Sequence, residues 1–482
     1  MKKQKKKTNH QNLIRPEIKA SIWYTVSGFF SRGLTLLMTP IFTRLLTPGE
    51  YSIYPLYVSF MGIFTVIITL EISGSIIYSG LSKFRDRFPE GFTLSALISE
   101  AVLASVFAIL YIIFQKRINA ITGLSFALTL MLIFQVFLNA ATGIYYSEKR
   151  YTGDYKRVAF INMASGVATP ILSLFLIRSN LGGISRVISP LIVTLIIGAP
   201  TILSLAKNGS GKIRAYHFSY LLKTAIPLLP HYISLSVIAG GEKIIISRIL
   251  GESALGKYSV AHSIGFSITM VFTALLTALT PKIADMLGRG DNIGVGKIFK
   301  ISQGLTSILT LIFLTLSNEV FKIASPPEYY SAHIIIYPTA LSALINFTTS
   351  LAASASISLG KEKKTMLASV LTALIFIPAA AILTRRIGFI GAAAAQLAAT
   401  LARAVLYLFI LRKHTGKELV NINYYLQNLI FTFGFSILIF LLTPSPVSRI
   451  LIALALIFIL LGEVRRYKGI FQKQSGLAHP EA

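Results

Sequence analysis

Apolar runs long enough to cross a lipid bilayer fill most of this sequence. A transmembrane helix needs about 20 mainly apolar residues, and windows of that length find fourteen such segments. Hydrophobic residues make up 54% of the chain and charged residues 13%, which is not the composition of a soluble surface. We therefore predict an all-α polytopic membrane protein with about 14 transmembrane helices. The predicted spans are 19–43, 50–80, 93–114, 121–146, 156–177, 183–205, 219–248, 255–281, 294–316, 331–358, 364–384, 387–411, 425–443 and 448–463.

The basic residues predict how the chain is oriented. Lysine and arginine concentrate in the short cytoplasmic loops of membrane proteins. With both termini placed inside, the inner segments hold 31 of the 46 basic residues, the outer segments hold 11, and four lie within spans. We therefore expect cytoplasmic N- and C-termini. Because this loop bias explains most of the net charge of +28, nucleic acid is not an expected partner.

A short repeat indicates that the chain contains two similar halves. Residues 43–46 (TRLL) end the first span and residues 247–250 (SRIL) end the seventh. A tyrosine follows each run at the same spacing, Tyr54 in the first case and Tyr258 in the second. Chance similarity between two helix ends is the alternative. Because the offset falls six spans on with the same orientation, we favour two parallel six-helix lobes followed by an extra helix pair.

This repeat divides the sequence into six parts. We expect a basic cytoplasmic tail (1–18), an N-lobe of six helices (19–205), a cytoplasmic inter-lobe loop (206–218), a C-lobe of six helices (219–411), a final helix pair (425–463) and a cytoplasmic C-terminal tail (464–482). Two such lobes would enclose a cavity and could rock against each other.

The first span carries an arginine, Arg32, near its middle. In a helix over residues 21–43, Thr35 and Thr39 lie on the same face as Arg32. A cation that faces lipid at this depth costs roughly 2.5 to 3.5 kcal/mol, so this face should contact protein or a water-filled cavity. We therefore expect the functional site inside the helix bundle.

Polar side chains recur at helical spacing in several other spans. Interhelical hydrogen bonding is the simpler explanation for any one such stripe. Two further cations, Lys243 and Arg403, also lie within spans, and three separate cations are harder to explain in that way. A cavity with more bases than acids favours an anionic ligand, and guanidinium groups suit phosphate. The candidates for polar contact with a ligand are Thr35, Thr39, Gln135, Asn139, Asn162, Asn346, Gln396 and Tyr407.

Three glutamates also lie within the predicted spans, Glu71, Glu100 and Glu242. Each could neutralise a buried cation, and Glu242 is the direct neighbour of Lys243 in the sequence. Each could instead take up a proton during transport. We favour the pairing interpretation and keep all three as candidates for ion coupling.

The residue types present argue against an enzyme. The sequence has no cysteine, which excludes a disulfide framework and a thiolate metal site. His231 and His262 lack carboxylate partners at metal-ligand spacing, so we interpret them as packed histidines. We find no Gly-rich nucleotide loop and no nucleophile elbow, and the loops are too short to hold a catalytic domain. We therefore predict a transporter with no metal and no cofactor.

Two stretches give the chain a family resemblance. Residues 31–51 resemble the N-terminal signature of Wzx-type polysaccharide and O-antigen flippases, and residues 226–261 resemble the second-half signature of that family. Members commonly carry an Asp-Arg pair where this chain has Glu242-Lys243, so the charge pattern is kept. Residues 281–283 (PKI) also fit the family's inner-loop pattern. The resemblance implies a MATE-like fold, as in the multidrug/oligosaccharidyl-lipid/polysaccharide exporter superfamily.

The resemblance also implies a function. It implies a flippase of the bacterial cytoplasmic membrane that moves an undecaprenyl-pyrophosphate-linked oligosaccharide from the inner to the outer leaflet by alternating access. By position, Arg32 matches a buried first-helix arginine of the family and Lys243 matches its second-half basic residue, whereas Arg403 is assigned from the residues alone. These three cations would bind the pyrophosphate, and the polar candidates would contact sugar hydroxyls. Glycan polymerase and chain-length regulator proteins would be candidate partners.

Two other functions stay open at this point. A multidrug exporter of the same superfamily should carry uncompensated acids in its cavity for cationic drugs. An integral-membrane glycan polymerase or ligase needs a large outer loop, and the longest outer segment here, about 316–331, is short. A structural membrane scaffold would leave the cations within the spans unexplained.

Overall fold

The fold is described from a computed structural model. It describes residues 16–85, 89–210, 212–419, 421–442 and 445–475. Within these ranges the chain is almost wholly helical and contains no β-strand. The α-helices are α1 (Pro16–Leu45), α2 (Pro48–Thr69), α3 (Ile77–Lys83), α4 (Pro89–Thr122), α5 (Phe126–Tyr151), α6 (Tyr155–Leu176), α7 (Ser185–Gly209), α8 (Ala215–Ala225), α9 (Leu229–Leu250), α10 (Glu252–Phe266), α11 (Thr269–Gly288), α12 (Asn292–Ala324), α13 (Ile336–Ser358), α14 (Glu362–Ile387), α15 (Phe389–Leu419), α16 (Ile422–Leu442) and α17 (Pro446–Ser475).

Eleven segments of the described chain are long and apolar enough to cross a membrane. One of them, Tyr155–Gly209, contains both α6 and α7. The chain is therefore a multi-pass membrane protein, and the predicted all-α fold class is confirmed. Each of the fourteen predicted spans overlaps one helix or two consecutive helices, and the count of fourteen crossings stays a prediction.

Three of the predicted spans are interrupted in the structure. After α2, Leu70 and Glu71 adopt left-handed backbone angles (φ 51° and 56°), and a π-helical turn, Ile72–Ile76, leads into α3. A 3-10 turn, Ile226–Leu228, separates α8 from α9, and two residues separate α10 from α11. The turn before α9 contains a proline, which removes a backbone donor. The break after α2 has no proline, and its left-handed leucine is an unfavourable backbone conformation.

The helices form two lobes that follow the two halves of the repeat. α1 and α4 to α7 pack largely on one another, α9 to α15 do the same, and α2 packs on helices of both lobes. The final helices α16 and α17 pack against α12 of the second lobe. The short helix α8 packs on α4, so the segment that precedes α9 lies on the first lobe. The domain boundaries given by the sequence stay predictions, and residues 1–15 and 476–482 of the two predicted tails lie outside the described residues.

The lobes approach each other closely along α2, α9 and α10. Gly256 of α10 lies against the first turn of α2, and a Cβ atom added to Gly256 would lie 1.8 Å from the carbonyl oxygen of Pro48. Gly240 of α9 lies against Ser59 of α2 in the same way, with a Cβ separation of 3.2 Å. Small residues at these positions allow the helix backbones to approach, as at many membrane helix interfaces.

Four helix ends connect the lobes in a reciprocal way, and we call this set of contacts the seam. Near the end of α1, Arg44 Nη2 donates to the carbonyl oxygen of Ile323 in α12, at 3.1 Å. Near the end of α9, Arg248 Nη2 donates to the carbonyl oxygen of Ala120 in α4, at 2.8 Å. The two arginines are 204 residues apart and the two acceptors 203. Each lobe therefore caps a helix of the other lobe, which is the relation that a parallel repeat produces.

Candidate functional site

One cavity between the lobes gathers several of the residues predicted to face a ligand. Its volume is about 500 Å³, and α1, α9, α10, α11, α13 and α15 contribute to its wall. The predicted residues that line it are Thr35, Thr39, Lys243, Asn346, Gln396 and Arg403. We call it the central cavity. Its location between the lobes is where an alternating-access transporter binds its substrate.

Lys243 brings a partly compensated charge to the central cavity. Its side chain is 18% exposed, whereas that of Glu242, behind it, is fully buried. Lys243 Nζ lies 3.8 Å from Glu242 Oε1, and Nε2 of His262 lies 3.7 Å from the same oxygen. Neither carboxylate oxygen of Glu242 has a hydrogen-bond partner among the described residues. Attraction to Lys243 is therefore the main compensation for a buried charge that would otherwise cost several kcal/mol.

Arg403 of α15 is held in the cavity wall by a neutral group. Its Nη2 donates to Oδ1 of Asn346, and its Nε is buried without a hydrogen-bond partner among the described residues. No carboxylate in the described chain lies within 4.0 Å of the Arg403 nitrogens. The amide orients the guanidinium without neutralising it, so the positive charge stays available to a ligand.

The neutral polar groups of the cavity are partly engaged by the protein. Thr35 Oγ1 donates to the carbonyl oxygen of Ser31 at 3.0 Å, and Thr39 Oγ1 donates to the carbonyl oxygen of Thr35 at 3.3 Å. A hydroxyl that donates in this way can still accept a hydrogen bond, so the threonines can accept from the hydroxyl groups of a ligand.

The third predicted cation, Arg32, lies on α1 between the two ends of that helix. Its side chain falls outside the described part of the structure, so its contact with the central cavity stays a prediction. One turn further along α1, Thr35 lines the cavity wall.

Four of the polar candidates do not reach the central cavity. Gln135 is buried, and its Oε1 accepts the hydroxyl of Tyr57 at 2.9 Å. The hydroxyl of Tyr407 lies 2.7 Å from Ser369 Oγ, and the Asn139 amide contacts a methionine sulfur of α2 at 3.9 Å. The fourth, Asn162, lines a separate cavity within the first lobe. For the first three, the structure shows the interhelical contacts that were the alternative explanation for a polar stripe.

Two of the glutamates lie beside the break after α2 rather than in the central cavity. Glu100 of α4 is fully buried, and its Oε1 accepts the backbone N–H of Ser73 at 3.1 Å. Its Oε2 has no hydrogen-bond partner within the described residues. Glu71 is half-buried at the break itself. In the described chain no lysine or arginine lies within 4.0 Å of either carboxylate.

The family assignment follows from the first half of the chain and the start of the second. The profile of the polysaccharide biosynthesis protein family matches residues 18–287, which is more than half of the sequence. The chain belongs to this family. The matched region runs from α1 to α11 and therefore includes four of the six helices that line the central cavity.

Individual proteins that this family member resembles are flippases and exporters. The probable low-salt glycan biosynthesis flippase Agl15 of Haloferax volcanii is 22% identical over 333 residues, which cover 66% of this chain and 67% of Agl15. The solved structure of the lipid II flippase MurJ in an inward closed conformation has a TM-score of 0.70 at 17% identity, covering 93% of this chain and 100% of MurJ. An outward-facing multidrug resistance MATE family transporter of the MOP superfamily has a TM-score of 0.57 at 14% identity, covering 84% and 96%. These structural similarities confirm the predicted MATE-like fold.

In this member of the polysaccharide biosynthesis family, α10 and α11 add cavity residues that the sequence analysis missed. The polar lining residues of α10, α11 and the two residues between them are His262, Ser263, Ser267 and Thr269, and α15 adds Thr400. His262 was interpreted as a packed histidine, and its ring does stack on Phe266 at 5.6 Å, but it also lies in the cavity wall beside Glu242. The signal was present, because polar residues recur along α10 at the same helical spacing as in the stripes that were considered.

Proposed function

We propose that this protein is a flippase for a lipid-linked oligosaccharide. The observation that carries the proposal is the central cavity, in which Lys243 and Arg403 from two different helices face one space whose wall also carries hydroxyl and amide groups among apolar side chains. Arg403 has no carboxylate within 4.0 Å in the described chain, and the acid behind Lys243 is buried. A pyrophosphate-linked glycan combines the negative charge and the hydroxyl groups that such a cavity can bind. Membership of the polysaccharide biosynthesis family and the similarity to Agl15 support the same substrate class.

Different residues would bind different parts of the substrate. The pyrophosphate is bound by Arg403, Lys243 and Arg32. Arg403 acts as a planar hydrogen-bond donor, and Lys243 acts as a mobile point charge. Hydroxyl and amide groups at Thr35, Thr39, Asn346 and Gln396 contact the sugars. The carrier is undecaprenyl pyrophosphate, whose polyprenyl chain stays in the lipid, and the glycan is a repeat unit of an O-antigen, a capsule or an exopolysaccharide.

Transport would use the two lobes as rigid bodies. The cavity takes up the substrate from the inner leaflet of a bacterial cytoplasmic membrane, and the lobes then rock so that it opens to the outer leaflet. Both termini stay in the cytoplasm, and a glycan polymerase with its chain-length regulator receives the product. In this motion the seam between the lobes must open and re-form.

Glu242 is placed to couple substrate binding to protonation. A pyrophosphate that binds Lys243 competes with Glu242 for the same ammonium group. The buried carboxylate, once it loses this partner, is stabilised by taking up a proton. Glu100 and Glu71, beside the break after α2, are the other candidates for ion coupling and lie away from the substrate.

The proposal is tested by deleting the gene and locating the lipid-linked sugars that accumulate. We expect completed oligosaccharide units on the lipid carrier, protected from reagents outside the cell because they remain in the inner leaflet. A wild-type copy should clear them, whereas Arg403→Gln should not. The matched control is Arg386→Gln, the same charge change at an exposed position near the end of α14.

Other outcomes would identify other functions. Single units that reach the outer leaflet without being polymerised would indicate a polymerase or ligase. Unchanged glycans together with raised drug sensitivity would indicate a multidrug exporter. Normal export by an Arg32→Ala variant that inserts normally would remove Arg32 from the mechanism.

A further inference from the structure

A second cavity lies inside the first lobe, next to the central one. Its volume is about 430 Å³, and α1, α2, α6 and α7 line it. Its polar lining includes Ser31, Asn162, Ser165 and Thr169. Thr35 lines both cavities, so they adjoin across α1 at this residue. We call it the Arg186 cavity, after the charged residue in its wall.

Arg186 is held by aromatic rings rather than by an acid. Its guanidinium carbon lies 5.0 Å, 4.2 Å and 4.9 Å from the ring centroids of Phe42, Tyr51 and Tyr54. Its Nη1 is buried and has no hydrogen-bond partner among the described residues. In the same part of the chain no carboxylate lies within 4.0 Å of its nitrogens. Cation–π contacts therefore orient the guanidinium in place of a direct ion pair.

The backbone around Arg186 is built to hold it at this place. Gly182 has a left-handed φ of 50°, and a Cβ atom added to Gly183 would lie 2.1 Å from the carbonyl oxygen of Glu50. This close approach places the turn before α7 against the first turn of α2, the helix that carries Tyr51 and Tyr54. A side chain at 183 would clash with the backbone of Glu50, so this close contact between α2 and the turn before α7 requires glycine.

The cation–π contacts leave the buried Nη1 donor of Arg186 unexplained. A buried donor without a partner costs free energy, and an apolar side chain in its place is often neutral or stabilising. The cavity wall also carries hydroxyl and amide groups, from Ser31, Asn162, Ser165 and Thr169, beside apolar residues such as Pro190 and Val193. Such polar groups can bind the oxygen atoms and hydroxyl groups of a ligand. A cation among such groups is the usual composition of a site for an oxygen anion.

We propose that the Arg186 cavity is a second anion-binding site, which binds a carboxylate or phosphate oxyanion of the same lipid-linked substrate. The proposal rests on the proposed flippase function and deepens it. Two sources can supply the oxyanion: an acidic sugar of the glycan, or the pyrophosphate group after it leaves Lys243 and Arg403. Because the two cavities adjoin at Thr35, one extended substrate can occupy both of them.

The test measures anion binding by the purified full-length chain in detergent. Arg403→Gln is first introduced to lower the anion affinity of the central cavity. The anion affinity that remains is then measured by thermal stabilisation with three probes: inorganic pyrophosphate, D-glucuronate and D-glucose. We expect at least one anion to bind and glucose to have no effect. Adding Arg186→Gln should lower the affinity for that anion at least tenfold, and Arg186→Lys should lower it less because the charge is kept without the planar donor.

The matched control for this experiment is Arg178→Gln, an exposed arginine just before the same turn. Binding of glucuronate but not pyrophosphate would identify an acidic sugar as the source, and binding of pyrophosphate would identify the carrier group. Equal anion affinity with and without Arg186, or equal losses for Arg178 and Arg186, would overturn the proposal. If the variant with Arg186→Gln does not fold, the anion affinity of the variant with Arg186→Lys is compared with that of the Arg403→Gln protein, and the same criteria apply.

This outcome is separable from the proposed function itself. If deletion of the gene leaves glycan export unchanged while Arg186 still governs anion binding, the flippase proposal fails and the site stands. If export stops on deletion but Arg186 has no effect on anion binding, the flippase proposal stands and the second site is removed.

Discussion

The seam predicts how strongly two arginines hold the lobes together. Arg44 and Arg248 each donate one charge-assisted hydrogen bond to a carbonyl oxygen of the other lobe. Such bonds contribute about 1.5 to 3 kcal/mol when shielded from water, and exposure of both arginines reduces this to about 1 kcal/mol each. The two bonds share no partner, so their contributions add. Removing both should therefore weaken the closed seam by about 2 kcal/mol, which is about a 30-fold change in the equilibrium between closed and separated ends.

Spin labels can measure this change, because the sequence has no cysteine and needs no background substitution. Leu181→Cys in the first lobe and Glu328→Cys in the second place labels at two exposed positions. In the Arg44→Ala, Arg248→Ala double variant, double electron–electron resonance should show an increased population at longer distance. Each single variant should produce about a fivefold change, since 1.4 kcal/mol corresponds to a factor of ten.

Specific results would refute this reasoning. A further hydrogen bond beside the seam, from Thr43 Oγ1 to the carbonyl oxygen of Ala324, also joins the lobes, so the double variant should weaken the closed end without opening it fully. An unchanged distance distribution would show that the two arginine bonds do not stabilise the closed end. An effect of one arginine alone would show that the two contacts are not equivalent. The control is Arg386→Ala, which should have no effect.

Two further predictions concern the buried ion pair and the packing between lobes. Lys243→Met should lower the free energy of unfolding by less than the roughly 3 to 5 kcal/mol of a buried charge that stays unpaired, because Glu242 can take up a proton once its cation is removed. The loss should grow as the pH rises, and adding Glu242→Gln should remove this pH dependence; equal thermal unfolding of the single and double variants in detergent at high pH would contradict this. Gly256→Ala should reduce the yield of folded protein in size-exclusion chromatography, since its Cβ would lie 1.8 Å from the Pro48 carbonyl oxygen. Gly62→Ala, with no atom within 4 Å, should be tolerated, and equal yields for the two would contradict the packing.

The helical fold and the central residues of the site were predictable because the bilayer restricts which backbone structures and which side chains can face lipid. Only helices of sufficient length can satisfy their backbone groups in lipid, so hydropathy gives their approximate positions. A cation within such a helix must face protein or water, which is why Lys243 and Arg403 could be assigned to a cavity in advance. Thr39 and Gln396 followed by helical spacing from the same reasoning, and the structure places these four residues around one space.

Helical spacing in the sequence could not distinguish a polar side chain that faces a cavity from one that packs at a helix interface. Gln135 and Tyr407 lie on polar stripes like those of the cavity residues, but each meets a hydroxyl on a neighbouring helix. A stripe specifies which face of a helix is polar, and the identity of its neighbour is decided by tertiary packing. The break at Leu70 was hidden for a similar reason, because neither glycine nor proline marks its left-handed residues.

The repeat explains why equivalent helices of the two lobes surround the site while their charged residues stand at non-equivalent positions. Thr39 and Lys243 are 204 residues apart, the same offset as the seam arginines, and both line the central cavity. Equivalent positions of the two lobes therefore contribute to one space, but the cation stands on the second lobe. In the first lobe, the cation that lines a described cavity is Arg186, in the adjoining cavity. The equivalent position of the second lobe, 204 residues on, is Ile390, which carries no charge. A symmetric frame suits a rocking motion between two similar lobes, and charges at non-equivalent positions would give an anion that binds in both cavities a different partner on each side of α1.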